Sequence, residues 1–147
     1  MNTIEFCKEL ASRITQAEWD ALERWDPSLT INGHNRMALL EMRAMCSADG
    51  QASRQAQPWP DVDLDAAENL AHYLQEYLDE YMSDAPEGHK WIVLASLYLA
   101  YVAHRPLHPI ERTAVSVERV EGATIYRCPL KIPGDNPICD ACICLAK

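Results

Sequence analysis

The sequence predicts a mainly α protein, a helical bundle of about five helices with a small C-terminal β-hairpin and a cysteine knuckle. Three observations carry this. Apolar residues recur every three or four positions through the first hundred residues, the spacing of one helix face. Beyond Arg105-Pro106 and His108-Pro109 the apolar period falls to two, the spacing of one face of a strand. Four of the six cysteines, Cys128, Cys139, Cys142 and Cys144, fall in the last 20 residues.

Taken in order, Ile4, Cys7, Leu10, Ala11 and Ile14 define the apolar face of a first helix. Thr15 to Glu18 is a capping-box pattern that opens a second, in which Trp19, Leu22 and Trp25 share a face before Asp26-Pro27 ends it. Asn32-Gly33 leads into a third helix with Met37, Leu40, Ala44 and Met45 inward, stopping near Asp49-Gly50. A polar, proline-bearing linker follows from Gln51 to Pro60. Asp61 or Asp63 caps a fourth helix whose Ala67, Leu70, Leu74, Leu78 and Tyr81 face inward while acids occupy the other side. A fifth, from about Glu87 to Val102, is apolar around most of its circumference and is the expected central core helix. Thr113, Val115 and Val117 then alternate with smaller or polar residues, Glu121-Gly122 makes a turn, and Thr124 to Cys128 forms the return strand. Asp135-Asn136-Pro137 turns the chain into Cys139-Asp-Ala-Cys142. At 147 residues the chain suits a single domain, 1–147, with a helical part at 1–104 and a hairpin and metal-knuckle tail at 105–147.

Composition narrows the function classes. The net charge is −9, and it is carried by residues 1–103, which hold 17 acids and 7 bases, whereas 104–147 hold 5 acids and 6 bases. From Asp61 to Glu87 nine acids occur with no Lys or Arg before Lys90, a surface that repels a phosphate backbone. Nucleic acid is therefore not expected as a partner. The longest apolar run, Trp91 to Ala103, is shorter than the roughly 20 residues of a membrane span. The charged start, with Glu5, Lys8, Glu9 and Arg13, has no secretory h-region. A cytoplasmic protein without membrane partners is expected, where clustered thiols hold metal or do redox work rather than form lasting disulfides.

The thiols Cys128, Cys139 and Cys142 have the spacing C-x10-C-x2-C. Two residues between cysteines let both sulfurs face one ion, and the hairpin brings the third alongside, so the three are the expected ligands of a structural zinc. Tetrahedral zinc needs a fourth, for which His108, Cys144 and Cys46 are the candidates. An iron–sulfur cluster also accepts four thiolates, and Cys139 with Cys142 is the alternative redox dithiol. Cys7 fits the apolar face of the first helix and is read as core. Two partial patterns fail. Asp61, Asp63 and Asp65 resemble the start of a calcium loop, but Ala66 and His72 occupy its glycine and glutamate positions. His108-Pro-Ile-Glu111 with Cys139 and Cys142 misses the zinc-deaminase spacing by one residue at both ends. Glu68 and His72 are four apart, whereas the di-iron bundle pattern uses Glu-x-x-His twice with further Glu ligands, so His72 is read as a surface residue.

The tail also carries a family resemblance. Lys90 to Pro109, Tyr126-Arg-Cys-Pro-Leu-Lys131, Asp135-Asn-Pro137 and Cys139-Asp-Ala-Cys142 are similar in order and character to an uncharacterised family of methanogenic archaea, domain of unknown function 2115. The likeness is strongest over the C-terminal 60 residues. By position it takes in His108, Pro109, Cys128, Pro129, Lys131, Asp135, Asn136, Pro137, Cys139 and Cys142, and it implies a cytosolic archaeal protein with no assigned activity. Ile110-Glu111-Arg112 and Cys144 depart from the family pattern, which leaves the fourth ligand open. With no Gly-rich phosphate loop and no G-x-S-x-G elbow, the sequence leans away from an enzyme and toward a zinc-stabilised binding or assembly protein whose partner is another protein. A redox or iron–sulfur carrier is the alternative.

Overall fold

A computed structural model describes residues 1–47, 61–109, 114–131, 134 and 136–146. Six helices and a three-stranded sheet occur among them, so the protein is mainly α with a C-terminal β-hairpin. The helices are α1 (Thr3–Ser12), α2 (Gln16–Arg24), α3 (Gly33–Met45), α4 (Leu64–Tyr81), α5 (His89–Tyr98) and the short α6 (Pro137–Ala141). The strands are β1 (Ser116–Val120), β2 (Ala123–Cys128) and β3 (Leu145–Ala146). The expected linker at 51–60, the stop at Asp49-Gly50, and Glu111, Thr113 and Asp135 lie outside the described residues.

The first four helices each begin where a short polar side chain satisfies N–H groups that have no partner within the helix. Asn2 and Glu5 form a reciprocal capping box on α1, and Thr15 and Glu18 form another on α2. Asn32 caps α3 by accepting from Asn35 N–H at 2.8 Å, and Asp63, not Asp61, caps α4 through Ala66 N–H at 3.1 Å. Asp61 instead bridges to Asn2 and so joins the start of α4 to the start of α1.

The central helix differs in detail from its expected single span. Pro86–Gly88 is a 3-10 turn, α5 covers His89–Tyr98, and Leu99–Ala103 continue it as a wider π turn. His104 then takes a left-handed conformation (φ 51°), after which Pro106 and Pro109 prevent further helix. Trp91, Leu94, Ala95, Leu97, Tyr98 and Leu99 are all buried, because α5 packs against both α3 and α4 and the π turn reaches α1.

Three inward assignments are corrected. Trp25 leaves the α2 face: it is the left-handed C-cap (φ 49°), half exposed, with the Arg36 guanidinium 4.8 Å over its ring. On α3 the buried face is Ala38, Leu39, Met42 and Met45, whereas Met37 and Ala44 are exposed and Leu40 is half-buried. The run Met37-Ala-Leu-Leu40 offers an apolar residue in every direction, and contact with α5 selects which ones are covered. Tyr81 is 66% exposed at the end of α4, stacked on Tyr77 with ring centroids 4.8 Å apart. The other α4 positions, Ala67, Leu70, Leu74 and Leu78, are buried as their spacing requires.

Ion pairs join the elements at their edges. Lys90 of α5 donates to both carboxylate oxygens of Glu18 on α2, at 2.8 and 3.1 Å. Burial disfavours the Glu18 charge, yet the Lys90 hydrogen bond, the Thr15 N–H and the Lys90 charge outweigh it and hold the carboxyl below its ordinary range. Tyr98 Oη donates to Glu41 at 2.9 Å, and Arg105 donates to the other oxygen of Glu41 at 2.6 Å. This brace holds the first residue of the tail against α3.

Candidate metal centre

The centre is assembled by three features of the tail. Glu121 and Gly122 both have positive φ (51° and 82°), the geometry of a tight two-residue hairpin turn, and Gly122 meets nothing within 4 Å of a would-be Cβ. The turn sets an antiparallel register from Ser116 opposite Arg127 to Val120 opposite Ala123, and β2 ends on Cys128. Next, Asn136 accepts from Ile138 N–H at 2.8 Å and Pro137 occupies the first helical position, so the expected turn is also the start of α6. Ile138 and Ala141 pack against the helical core, and α6 rests on α4, which anchors the segment carrying Cys139 and Cys142. Finally, β3 lies parallel to β2, pairing Ala146 with Cys128, and this brings the buried Cys144 beside the end of β2.

These features bring Cys128, Cys139, Cys142 and Cys144 to the wall of one cavity of about 20 Å³, together with His108 and Lys131, and Leu107 and Ile138 complete it. Lys131 stitches the walls together. Its N–H donates to Cys128 O at 3.3 Å, and its Nζ donates to Cys142 O at 3.0 Å and Cys144 O at 2.6 Å. None of the six cysteines is in a disulfide. Among the described residues, no three His, Cys, Asp or Glu side chains are grouped tightly enough to hold a metal ion as they stand. The sulfurs line the space without converging on one point.

The thiols nevertheless sense one another. Burial, then the charge and hydrogen bond of Cys142 and the charge of Cys128, push Cys144 up to about 12, with Lys131 acting in the opposite direction. Burial raises Cys139 too, helped by Cys142, Cys128 and Asp140 and opposed by Lys131. Cys46 is not part of this group. It caps the end of α3, where burial raises its pKa and the Lys8 charge of α1 opposes the rise. Cys7 is fully buried in the core between the helices, as its spacing predicts.

The larger cavities lie elsewhere. A groove of about 700 Å³ runs between α4 and α6 past His72, Tyr73, Glu76, Tyr101 and Asp140, and it contains no thiol. His72 is exposed and paired with Glu76 at 3.0 Å, the surface role expected of it. Volume alone points to this groove, but it is open to solvent and holds no thiol, whereas the small cavity concentrates four groups of one chemistry. Lys131 is the residue to which thiol spacing assigned no role, although it stands three positions after Cys128 and falls within the family resemblance.

A helical body with a small β tail that gathers four cysteines around one cavity defines an α-rich protein with a C-terminal thiol centre. Residues 8–147 match the family described as uncharacterized proteins conserved in archaea (DUF2115), and the chain belongs to that family. The match takes in α2 to α5 as well as the tail, so the likeness extends well beyond the last 60 residues. No curated protein and no solved structure matches the chain. Among the described residues no helix is long and apolar enough to cross a membrane.

Proposed function

We propose that this protein binds one zinc ion through Cys128, Cys139, Cys142 and Cys144, and that the zinc-fixed tail is a binding surface for another protein in a reducing cytoplasm. The observation that carries the reading is that four thiols line the wall of one cavity of about 20 Å³. A water needs roughly 10–15 Å³ by the same measure, so there is room for one guest of that size. A single ion suits that space. Zinc would draw the sulfurs to about 2.3 Å, which asks for deprotonation and side-chain rotation rather than a new backbone path.

Cys144 is favoured as fourth ligand over His108 because its thiol is buried, hydrogen-bonded to Cys142 and next to Cys128 across the β2–β3 pair. Cys46, on the wall of no shared cavity with the tail thiols, is left out of the set. The partner reading rests on the apolar side chains that the tail exposes: Val117, Val120, Leu130, Ile143 and Leu145.

Elemental analysis of protein purified without oxygen tests the proposal. One equivalent of zinc, lost in a Cys139→Ser/Cys142→Ser double variant, is the expected result. Protein that takes up less than a few tenths of an equivalent when offered zinc refutes it, and brown iron-loaded protein transfers the site to the carrier alternative.

A further inference from the structure

We infer that Lys131 is the positioning residue of the thiol centre: its ammonium clamps the chain before and after the knuckle and offsets the negative charge of the metal-bound thiolates. The inference rests on the zinc reading above and adds the part that the ligand set alone does not supply.

Geometry carries the clamp. The three sulfur-bearing segments, the end of β2, the end of α6 and the residues leading into β3, meet around one cavity. Lys131 meets all three: its backbone N–H donates to Cys128 O, and its ammonium donates to Cys142 O and Cys144 O. Both side-chain bonds are charge-assisted, stronger than neutral ones and short at 3.0 and 2.6 Å. An ammonium has three N–H donors, so one remains beyond the two carbonyl bonds, on a side chain that lines the cavity.

Charge carries the second half. Four thiolates around a divalent ion leave a net charge of two minus, placed here in a site whose Cys144 is buried. Desolvation of such a charge is costly unless an opposite charge accompanies it. Among the described residues, Lys131 is the one lysine or arginine on the cavity wall, and its ammonium supplies that opposite charge. Outer-shell partners of this kind typically change metal affinity 10–100-fold when removed.

The experiment measures zinc affinity by competition with a chromophoric chelator, for the wild-type protein and for Lys131→Met, Lys131→Arg and Lys131→Gln. Cobalt(II) absorbance reports whether the geometry stays tetrahedral. Lys131→Met, close in length but without donors or charge, is expected to bind zinc about 10–100-fold more weakly. Lys131→Arg, which keeps charge and donors, is expected to stay within about threefold of wild type, and both are expected to keep the tetrahedral cobalt bands. Lys131→Gln, with a donor and no charge, should fall between them. The inference is overturned if Lys131→Met binds as tightly as wild type, or if Lys131→Arg loses as much affinity as Lys131→Met. Equal affinity of Lys131→Gln and wild type overturns the charge offset. If Lys131→Met does not fold, as judged by circular dichroism, Lys131→Gln is held to the same two limits. A wild-type protein that takes up no zinc is a separate result, which removes the proposed function itself.

Discussion

Replacing Tyr98 by Phe removes one oxygen from the most enclosed part of the molecule and tests whether the brace at the root of the tail is real. Tyr98 has no exposed surface, its Oη donates to Glu41 at 2.9 Å, and Met45 Sδ lies at 3.4 Å. A hydrogen bond to a charged acceptor contributes about 1.5–3 kcal/mol net. The lower end applies here, because Glu41 is 40% exposed and keeps Arg105 at 2.6 Å, so its carboxylate is not stranded. The expected loss is about 1.5 kcal/mol, or roughly 3–6 °C in Tm for a chain of this size. Burial, then the charge and hydrogen bond of Glu41, raise the Tyr98 pKa above the ordinary tyrosine range. A raised pKa means that the folded state holds the proton longer, so this contribution is full below about pH 10 and is lost as pH rises beyond it. Urea unfolding followed by circular dichroism at pH 7 and pH 10.5 measures both effects. Combining Tyr98→Phe with Glu41→Gln should give a coupling energy of about 1 kcal/mol. A Tyr98→Phe protein within about 0.3 kcal/mol of wild type, or additive with Glu41→Gln, refutes the brace.

Other outcomes follow from the same geometry. Cys144→Ser should weaken zinc binding far more than His108→Ala, read by chelator competition; the reverse order makes His108 the ligand. Metal-free protein should lose stability as pH rises above about 8.5, because folding raises the pKa of Cys139 and carries Cys144 up to about 12. Zinc binds the deprotonated thiols, so its affinity should climb between pH 6 and pH 8 with proton release measurable by calorimetry in buffers of different ionisation enthalpy. Gly88→Ala should cost about 1–3 kcal/mol in urea unfolding. The new Cβ would sit 2.9 Å from both Cγ2 and the backbone oxygen of Thr30, and the oxygen has no rotamer by which to yield.

Much of the fold is readable because its signals are local. Caps at Thr15, Asn32 and Asp63 depend on one side chain and an N–H three residues away: Thr15 stands where expected, Asp63 is one of the two aspartates the pattern offered, and Asn32 opens the helix that Asn32-Gly33 announces. The Glu121-Gly122 turn is equally local. Faces are less readable. Periodicity gives α4 its inward stripe up to Leu78, but it gives no preferred side to Met37-Ala-Leu-Leu40, where burial depends on which neighbour arrives. Trp25 is apolar and correctly spaced, yet a left-handed C-cap turns it away from the core.

The thiol centre divides in the same way. The C-x2-C spacing brings Cys139 and Cys142 together, and the strand period delivers Cys128 at the end of β2, both being properties of short stretches of chain. The company they keep is a matter of tertiary structure. Cys144 reaches Cys128 only because β3 turns back parallel to β2, and Lys131 reaches the carbonyls of residues 11 and 13 positions onward because the chain folds around it. Cys46 and Cys144 are equal candidates in a list of residues, and packing separates them: one ends a helix beside Lys8, the other lines the cavity. The sequence by itself determined the helical body, the hairpin and three of the thiols, since periods, caps and short chelating spacings act within a few residues. The choice of buried faces, the neighbour of Cys144 and the grip of Lys131 were decided by the tertiary structure, because they depend on how separate elements dock.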